Sequence, residues 1–399
     1  MQATQTIGTT LSGKRFAVIG AGIGGVGAAL ALARRGGRVV LFEQAPALTE
    51  VGAGLQISPN GVAVLEALGV KASAAALASA PDKAELRNAR GVLVAAMPLG
   101  AVALRRYGQP YWQFHRADLL DCLVQGAAAA GVEFVLGQSV QAEPDGTLNQ
   151  GGISQSFDLV VASDGVHSAH RKAHFGGATP QFLNHIAWRA TVSAQGLPAE
   201  ALAQSARIYM GAGRHLVTYP LRGGTIVNLV GIVETDEWLE ESWSQIGDGA
   251  GFQKAFAQFG GPVPAMLDRV ETCHKWGLFG HAPVPNWVNG RLALLGDACH
   301  PTLPFFAQGA TQALEDGWQL AAGLAAAQDI DAGLAQYLAA RKPRADKIVQ
   351  AATTSGQLYH YKSPIMRLAR NAGLRAVSTF APQVMARRFD WIYGQHPAD

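Results

Sequence analysis

The sequence predicts an α/β protein in which a Rossmann-type domain is joined to a second, antiparallel-sheet domain and followed by C-terminal helices. Three observations predict it. Residues 14–43 contain a strand, a glycine-rich turn, a helix and a second strand, in the order of a βαβ unit. Residues 181–285 contain alternating runs such as AWRATV, HLVTYPL and GTIVNLVGIV, which favour an antiparallel sheet. The α/β pattern returns from residue 287, and alanine-rich helices follow.

The first βαβ unit carries a nucleotide-binding fingerprint. In GAGIGG, Gly20 permits the tight turn, Gly22 lets the backbone approach a pyrophosphate, and Gly25 lets helix and strand pack closely. Phosphate charge then meets the free N–H groups at the helix start. Glu43 ends the second strand, where it is placed to accept a hydrogen bond from a ribose hydroxyl. The strand, the helix, the second strand and the acidic residue occur in this order. We therefore interpret the unit as a site for an ADP-containing dinucleotide rather than as a glycine-rich turn without a ligand.

The segments after this unit extend the first domain. Glycine and proline between positions 51 and 61 predict a loop, followed by a helix pattern from about Val62 to Leu68. The segment RADLLDCLVQGAAAAG, residues 116–131, predicts a helix, and VEFVLG after it predicts a strand. FDLVVASDG, residues 157–165, repeats the strand-then-turn pattern. Such αβ pairs extend a parallel sheet.

Two strand-turn-helix segments carry further candidate binding residues. In DLVVASDGVHSAHR a buried strand leads into a turn, and in RLALLGDACHPTLPFFAQGATQALED a strand leads through a proline-stiffened loop into a long helix. A carboxylate at the end of such a strand can bind ribosyl or ribityl hydroxyls, and a helix N-terminus stabilises negative charge that develops on a ring. The candidates in these turns are Asp164, Gly165, Gly296, Asp297, Gln308, Gly309 and Ala310.

These patterns imply that the chain crosses between two domains more than once. We expect a flexible segment at residues 1–13, a first domain of residues 14–85, 115–180 and 286–345, a second domain of residues 86–114 and 181–285, and C-terminal helices at residues 346–399. Residues 364–393 place five arginines among apolar residues. This composition fits either a membrane-surface helix or a tail packed on its own protein, and Pro382, which interrupts the run, favours the packed tail.

Composition indicates an enzyme-sized protein without nucleic acid as a partner. A chain of 399 residues with 49% hydrophobic content can bury more than one core. The net charge of +3 is mild, and the basic residues are scattered. Residues 1–13 lack a secretory signal pattern, and no run reaches the roughly 20 apolar residues of a membrane span, so we expect a cytoplasmic protein. Cys122, Cys273 and Cys299 have no C-x-x-C or histidine pattern, which predicts reduced thiols and no metal site.

Taken together, the motifs resemble those of the single-component (class A) flavin-dependent aromatic hydroxylases. The resemblance rests on GAGIGG with Glu43, the DG pair at residues 164–165, and the GD pair at residues 296–297 followed by HPTLPFFAQGATQALED. It covers nearly the whole chain, including HRADLLDCL and HLVTYPLRGG, and is strongest to the branch of salicylate and 6-hydroxynicotinate monooxygenases. It implies a glutathione-reductase-like FAD-binding domain, as in para-hydroxybenzoate hydroxylase, with a substrate domain above it.

The resemblance also implies the cofactors. By it, the three glycines and Glu43 hold the adenosine half of a non-covalent FAD, Arg116 reaches its pyrophosphate or ribose region, and Asp297 holds its ribityl chain. Asp164 is implied in both FAD and NAD(P)H binding. Only one nucleotide fingerprint is visible, which agrees with a family whose NADH or NADPH binds transiently.

The chemistry that the resemblance implies is oxygen insertion. NAD(P)H reduces FAD, O2 adds to form the flavin C4a-hydroperoxide, and its distal oxygen attacks an electron-rich carbon of a small phenolic or hydroxylated aromatic acid. The protein supplies a dry cavity and a base that takes the phenol proton. His215 and Tyr219 are four positions apart on one strand and therefore on one face. We predict that they are catalytic; the alternatives are a surface histidine and a plain core tyrosine.

Phe305, with Pro304 before it, is expected to form an apolar wall of the substrate pocket. Some pyridine-hydroxylating relatives carry a histidine at this place, which argues against a hydroxynicotinate substrate here. Other readings stay open: epoxidation, hydroxylation of a purine or quinone precursor, an FAD oxidase or dehydrogenase, or a non-enzymatic dinucleotide sensor. Whether the protein is a monomer or a homodimer also stays open.

Overall fold

The computed structural model describes residues 11–48, 53–176, 179–236, 246–282 and 284–396. Most of the N-terminal segment expected to be flexible, residues 1–13, lies outside the described residues. Its last part does not fit that expectation, because Leu11 is buried and its N–H donates to the carbonyl oxygen of Arg35. The packed part of the chain therefore includes residues that the sequence assigned to a flexible segment.

Short strands make up most of the two main sheets. In chain order they are β1 (Arg15–Ile19), β2 (Arg38–Glu43), β3 (Gly54–Ile57), β4 (Lys83–Asn88), β5 (Leu93–Pro98), β6 (Trp112–His115), β7 (Glu133–Leu136), β8 (Gln141–Ala142), β9 (Thr147–Gln150), β10 (Ile153–Ser156), β11 (Leu159–Ala162), β12 (Gln181–Ser193), β13 (Ser205–Met210), β14 (Arg214–Leu221), β15 (Ile226–Glu234), β16 (Ile246–Asp248), β17 (Thr272–Gly280), β18 (Val288–Asn289) and β19 (Leu292–Leu294).

The helices surround these sheets and dominate the last quarter of the chain. They are α1 (Ile23–Ala33), α2 (Pro59–Ala67), α3 (Lys71–Leu77), α4 (Gly100–Tyr107), α5 (Arg116–Ala129), α6 (Ala169–His174), α7 (Ala199–Leu202), α8 (Gly249–Phe256), α9 (Val263–Leu267), α10 (Gly309–Ala326), α11 (Ile330–Tyr359), α12 (Pro364–Phe380), α13 (Pro382–Arg387) and α14 (Asp390–Tyr393). Short 3-10 turns occupy Gly296–Ala298 and Pro304–Phe306.

A six-stranded sheet in the order β18-β19-β11-β1-β2-β7 forms the base of the protein. Its strands are parallel except for β18, which pairs antiparallel with β19. The central strands are almost wholly apolar, as expected where both faces of a parallel sheet are covered. Helix α1 packs against α5 and α10, and the sheet and these helices share one hydrophobic core. This arrangement confirms the predicted Rossmann-type fold.

An eight-stranded sheet in the order β16-β17-β12-β15-β14-β13-β4-β5 lies beside the first. All its pairs are antiparallel except β13 with β4. One face packs on α8 and α9 around Trp188, Phe252 and Phe256. The other face carries Ala187, Val230 and Ile232 and packs against Phe305. The antiparallel sheet predicted for the second domain is therefore present, and its two faces have different neighbours.

Several predicted boundaries need correction. The boundary expected after residue 85 falls inside β4, because that strand pairs with β13 along its full length. The boundary at residues 114–115 falls inside β6, and the one at residues 345–346 falls inside α11. The predicted loop at residues 51–61 contains β3 and the start of α2, whose first residue is Pro59 and whose N-cap is Ser58. The division into two domains itself stays a prediction.

The C-terminal helices pack on the edge of the eight-stranded sheet. The backbone N–H of Ala96 in β5 donates to the hydroxyl of Ser378 in α12. Arg370, one of the five arginines of residues 364–393, is buried and donates to the carbonyl oxygens of Leu358 and Tyr359. The helix breaks at Ala381, before Pro382 begins α13. None of the helices in the described part of the chain has the length and apolar character that crossing a membrane requires.

The crossing of α1 and α10 depends on a glycine. A Cβ on Gly317 would lie 2.7 Å from the Cα of Ala28. Backbone atoms cannot rotate away, so we expect Gly317→Ala to overpack this contact and destabilise the apoprotein by about 1–3 kcal/mol. Thermal unfolding of the apoprotein measures this as a lower midpoint.

Gly373→Ala is the matched control, because no atom lies within 4 Å of the Cβ that it would add to α12. Removing a glycine from an exposed helix interior should stabilise the protein by roughly 0.5–1 kcal/mol. An equal midpoint for the two variants would show that the α1–α10 crossing tolerates a larger residue.

Candidate active site

The glycine-rich turn is tightly built on one side and open on the other. Gly20 has φ +96°, and a Cβ there would lie 2.6 Å from the carbonyl oxygen of Ser163. A Cβ on Gly25 would collide with the carbonyl oxygen of Gly20. A Cβ on Gly22, in contrast, meets no atom within 4 Å. The two outer glycines are thus required by the protein itself, and Gly22 borders open space at the start of α1.

The start of α1 offers an anion site. Gly22 is its N-cap residue, and no side chain caps the helix there. The backbone N–H groups of its first turn therefore face the open space, as in nucleotide-binding turns. Glu43 accepts from the backbone N–H groups of Ala21, at 2.8 Å, and Ala45, at 2.9 Å. Each oxygen still has a second lone pair for a hydroxyl, so Glu43 both orders the turn and keeps the capacity predicted for it.

Asp164 lies in the turn after β11. Its Oδ2 accepts from Nδ1 of His170 at 2.8 Å, while its Oδ1 is buried without a hydrogen-bond partner among the described residues. Burial alone raises the pKa of this carboxyl, but the bonds and charge of His170 together with Ser168 lower the pKa below its usual value. Gly165 follows with φ +76° and open space around its Cβ direction. An ionised acceptor with an unused oxygen suits a hydroxyl donor.

Asp297 lies in the 3-10 turn after β19 and is exposed to solvent. The surrounding protein raises the pKa of its carboxyl by desolvation, while the nearby charges of His300 and Arg116 act in the opposite direction. Arg116 begins α5, and its N–H donates to the carbonyl oxygen of Ala53. The structure thus brings together Arg116 and Asp297, which are 181 positions apart in the chain.

A buried ion network holds the segment that follows. His300 Nε2 lies 2.6 Å from Oδ2 of Asp316, and the same oxygen accepts from the N–H of Gly296 at 3.1 Å. Arg341 donates to Oδ1 of Asp316 and to Glu315. Burial lowers the pKa of His300, but Asp316 and Cys299 together outweigh burial and raise that pKa well above the usual value. His300 is therefore a buried cation paired with Asp316.

The end of this segment carries the predicted pocket residues. Pro304 begins a 3-10 turn, and Ala307 after it adopts φ +51°, which is strained for alanine. The side chain of Gln308 donates to the hydroxyl of Ser58, which anchors the start of α10 before Gly309 and Ala310. Phe305 is buried against the eight-stranded sheet. The turn thus links the base of the protein to its second sheet.

His215 and Tyr219 lie on the face of β14 that meets Phe305. His215 is 2% exposed, and its ring packs 5.3 Å from that of Phe305. The interpretation of His215 as a surface histidine is therefore wrong. Tyr219 is also buried, and a Cβ on Gly54 would lie 2.6 Å from its hydroxyl. Burial raises the pKa of Tyr219, while the charge of Arg189 acts the other way.

Arg189 is a site residue that the sequence did not single out. In β12 it pairs with Val230 of β15, which pairs with Val217 of β14, so these three share one face with His215 and Tyr219. Its guanidinium lies 4.9 Å from the ring centre of Trp276. A guanidinium on this face has the charge and geometry to pair with a carboxylate.

Two more residues join the site from distant parts of the chain. His360 Nε2 lies 2.6 Å from Nδ1 of His215, and His360 Nδ1 lies 3.0 Å from Oε1 of Glu234. Glu234, His360 and His185 place ligand atoms within 4.8 Å of one another. Both ring nitrogens of His360 are already engaged, so a metal ion here would have to displace these bonds.

A cavity of about 380 Å³ lies elsewhere, between α2, α10, α11 and the C-terminal segment. Its lining includes Asn60, Trp318, Arg344 and Trp391. None of the predicted cofactor or catalytic residues lines it. This cavity is therefore separate from the site described above.

The fold and these residues define a flavin-dependent monooxygenase. FAD fits them: Gly22 borders open space at an uncapped helix start, and Asp164 presents a buried oxygen without a donor in the described structure. Residues 15–352 match the FAD binding domain family, and the chain belongs to that family. The protein binds FAD, and NAD(P)H use is typical of these enzymes.

Comparison with known proteins agrees over nearly the whole length. The chain is 33% identical to 3-amino-4-hydroxybenzoate 2-monooxygenase of Streptomyces platensis, covering 95% of this chain and 96% of the relative. It is 34% identical to 3-hydroxybenzoate 6-hydroxylase of Polaromonas naphthalenivorans, with 94% and 95% covered. A salicylate hydroxylase substrate complex superposes with a TM-score of 0.80 at 27% identity, covering 97% of each chain. The predicted resemblance to aromatic hydroxylases is confirmed.

The open space beyond Gly22 gives a test of the cofactor site. Gly22→Val adds a branched side chain at φ −72°, a conformation that valine adopts without strain. We expect the apoprotein to keep its stability, while FAD affinity falls roughly a hundredfold or more because the pyrophosphate loses its close approach to the backbone. Titration of the apoprotein with FAD, followed by flavin fluorescence, measures the affinity. FAD binding as tight as in the parent would show that the cofactor does not lie against Gly22.

Proposed function

We propose that this monooxygenase hydroxylates a small aromatic ring that carries both a phenol and a carboxylate. The observation that supports this most directly is the face of the eight-stranded sheet that meets Phe305. On that one face lie a buried histidine, a buried tyrosine and an arginine, namely His215, Tyr219 and Arg189. Buried apolar side chains cluster on the same face, and such side chains line the sites that bind aromatic rings.

Each polar residue on this face has a distinct proposed role. Burial lowers the pKa of His215 well below the usual value, and the neighbouring imidazoles of His360 and His185, when protonated, would lower it further. His215 is therefore neutral and able to accept a proton. Tyr219, whose pKa is raised by burial, keeps its proton and is able to donate a hydrogen bond. Arg189 supplies the positive charge for the carboxylate. A phenol that loses its proton to His215 becomes a stronger electron donor at the ring.

The names of the relatives support the same substrate class. The curated relatives include enzymes named for 3-amino-4-hydroxybenzoate, 3-hydroxybenzoate and 6-hydroxynicotinate. One solved structure, HpxO of Klebsiella pneumoniae, is a complex with FAD and uric acid, with a TM-score of 0.83 at 27% identity. A purine is therefore the second candidate class, and its own support is that likeness.

FAD supplies the oxygen-transfer chemistry when it is bound and reduced by NAD(P)H. The proposed ligands of the adenosine half are Gly20, Gly22, Gly25 and Glu43. Arg116 is proposed to reach the pyrophosphate or ribose region, Asp297 to hold the ribityl chain, and Asp164 to take part in both FAD and NAD(P)H binding. Phe305 and Pro304 form the proposed wall of the substrate pocket. We also propose a cytoplasmic location, because the cytoplasm supplies NAD(P)H and keeps the three buried cysteines reduced. The protein is proposed to be a monomer or a homodimer.

A panel of ring compounds tests the substrate class. The FAD-loaded enzyme is mixed with NADH or NADPH and with hydroxybenzoates, salicylate, 6-hydroxynicotinate, urate, benzoate or phenol, while NAD(P)H loss, product and hydrogen peroxide are followed together. We expect product only from rings with both a hydroxyl and a carboxylate. Arg189→Gln should raise the KM for these acids by roughly tenfold or more, because it removes the charged partner of the carboxylate. If urate alone gave product, the substrate class would be purines instead of phenolic acids.

His215 and Tyr219 give a separate test of how oxygen transfer is coupled to NAD(P)H oxidation. In His215→Asn and Tyr219→Phe, FAD affinity should match the parent, because neither residue belongs to the proposed FAD ligands. Loss of a base or positioning bond slows hydroxylation by roughly tenfold to ten-thousandfold, so more NAD(P)H ends as hydrogen peroxide. The product-to-NAD(P)H ratio of each variant measures this. An unchanged ratio with unchanged turnover would assign both residues to packing alone.

A further inference from the structure

A chain of hydrogen-bonded side chains runs from the buried site to the protein surface. His215 is joined to His360 at 2.6 Å, and His360 is joined to Glu234 at 3.0 Å. The exposed fraction rises along this chain: the side chain of His360 is 1% exposed, that of Glu234 is 27%, and that of Lys362, 3.0 Å from Glu234, is 75%. Three different elements contribute to it, since His215 lies on β14, Glu234 ends β15, and His360 follows α11.

We propose that His215, His360 and Glu234 form a proton relay that carries the phenol proton of the substrate to solvent and returns a proton to the product. This inference rests on the proposed function, because it assumes a phenol beside His215. His360 and Glu234 act through His215 and touch neither the substrate nor the cofactor, so they are positioning residues rather than catalytic ones.

The proton balance of the relay is simple. Before transfer, His215 and His360 are neutral and carry their protons on Nδ1. Nε2 of His215 accepts the phenol proton, Nδ1 of His215 gives its proton to Nε2 of His360, and Nδ1 of His360 gives its proton to Oε1 of Glu234. Water then takes that proton from Glu234. One proton leaves, no electrons move, and the reverse sequence returns a proton to the product phenolate and restores the starting tautomers.

The groups around the relay leave His360 neutral and able to accept a proton. The titratable groups that face His360 are Glu234 on β15, His215 on β14, His185 on β12 and Lys362 on the segment of His360 itself. Burial lowers the pKa of His360 to about 4, although Glu234 acts to raise it. His360 is therefore neutral near pH 7, and its Nε2 is able to accept. A permanently charged His360 would have no lone pair for the proton that leaves His215.

His185 gives the relay a matched control. Its ring packs 5.5 Å from that of His360 and 5.4 Å from that of Phe305, so it occupies the same cluster. Its Nδ1 bonds instead to the carbonyl oxygen of Leu183. His185→Asn therefore removes a neighbouring imidazole without breaking the chain of three.

The test follows proton release separately from binding. The FAD-loaded enzyme, without NAD(P)H and without oxygen, is mixed in weak buffer with the panel acid that gives the highest product ratio. The flavin spectrum reports binding, and a pH-indicator dye reports the released proton. In the parent and in His185→Asn, we expect proton release to keep pace with binding. In His360→Asn and Glu234→Gln, binding should be unchanged, while proton release slows by roughly tenfold or more.

Two variants keep the test decisive. Glu234 is partly exposed, so Glu234→Gln should fold even where His360→Asn does not. During turnover, both should lower kcat with KM unchanged, and Glu234→Asp should recover part of the rate. Proton release as fast as in the parent, with normal binding and coupling, would overturn the relay and leave the proposed function standing. If no panel acid perturbs the flavin spectrum or gives product, the proposed function fails and the relay fails with it.

Discussion

The site depends on the hydrogen bonds and ion pairs that the carboxylate of Asp316 makes. This carboxylate is fully buried, and it accepts from His300, from the N–H of Gly296 and from Arg341. A buried charge is tolerated only when such partners surround it, and loss of one partner leaves the others uncompensated. Gly296 and His300 both belong to the segment of residues 296–309, so their bonds to Asp316 set where that segment lies.

Residues 296–309 contribute to both the proposed cofactor site and the proposed substrate site. The start of this segment carries Asp297, the proposed ribityl ligand, and its 3-10 turn presents Phe305 to the eight-stranded sheet. The same network continues through Glu315, which accepts from Arg344 and from Asn60 in α2. Arg344 in turn donates to the carbonyl oxygens of residues 391 and 392. The relative position of Asp297 and Phe305, which belong to the proposed cofactor and substrate sites, is therefore fixed by one connected set of buried charges.

Local patterns predicted the parts of the fold that are local. The βαβ unit at residues 14–43 needs only neighbouring residues, and its strands and helix form as expected. The strand β3 was missed because it is four residues long and is stabilised by pairing with β6, almost sixty positions later. The boundary inside β4 was misplaced for the same reason, since its partner β13 begins at residue 205. Pairing partners of this kind leave no periodicity in either segment.

Residues of the candidate site that are distant in the sequence could not be predicted either. His215 and Tyr219 were predicted from spacing along one strand, whereas His360 lies 145 positions from His215 and no spacing connects them. Arg189 lies in an alternating run whose apolar residues Ile186, Trp188 and Ala190 face α8 and α9. Alternation alone assigns Arg189 to the opposite face, and it does not show that this face is covered by Phe305 rather than by water.

The burial that excludes water from this face also divides the proton chemistry between its two polar side chains. Desolvation disfavours the charged form of each group, so it keeps His215 neutral and Tyr219 protonated. One is then an acceptor and the other a donor at the same pH. A dry site of this kind creates a second problem, since a proton taken from a phenol has no water to receive it. In the proposed relay, His360 and Glu234 meet that need, because Glu234 is partly exposed while His360 stays buried.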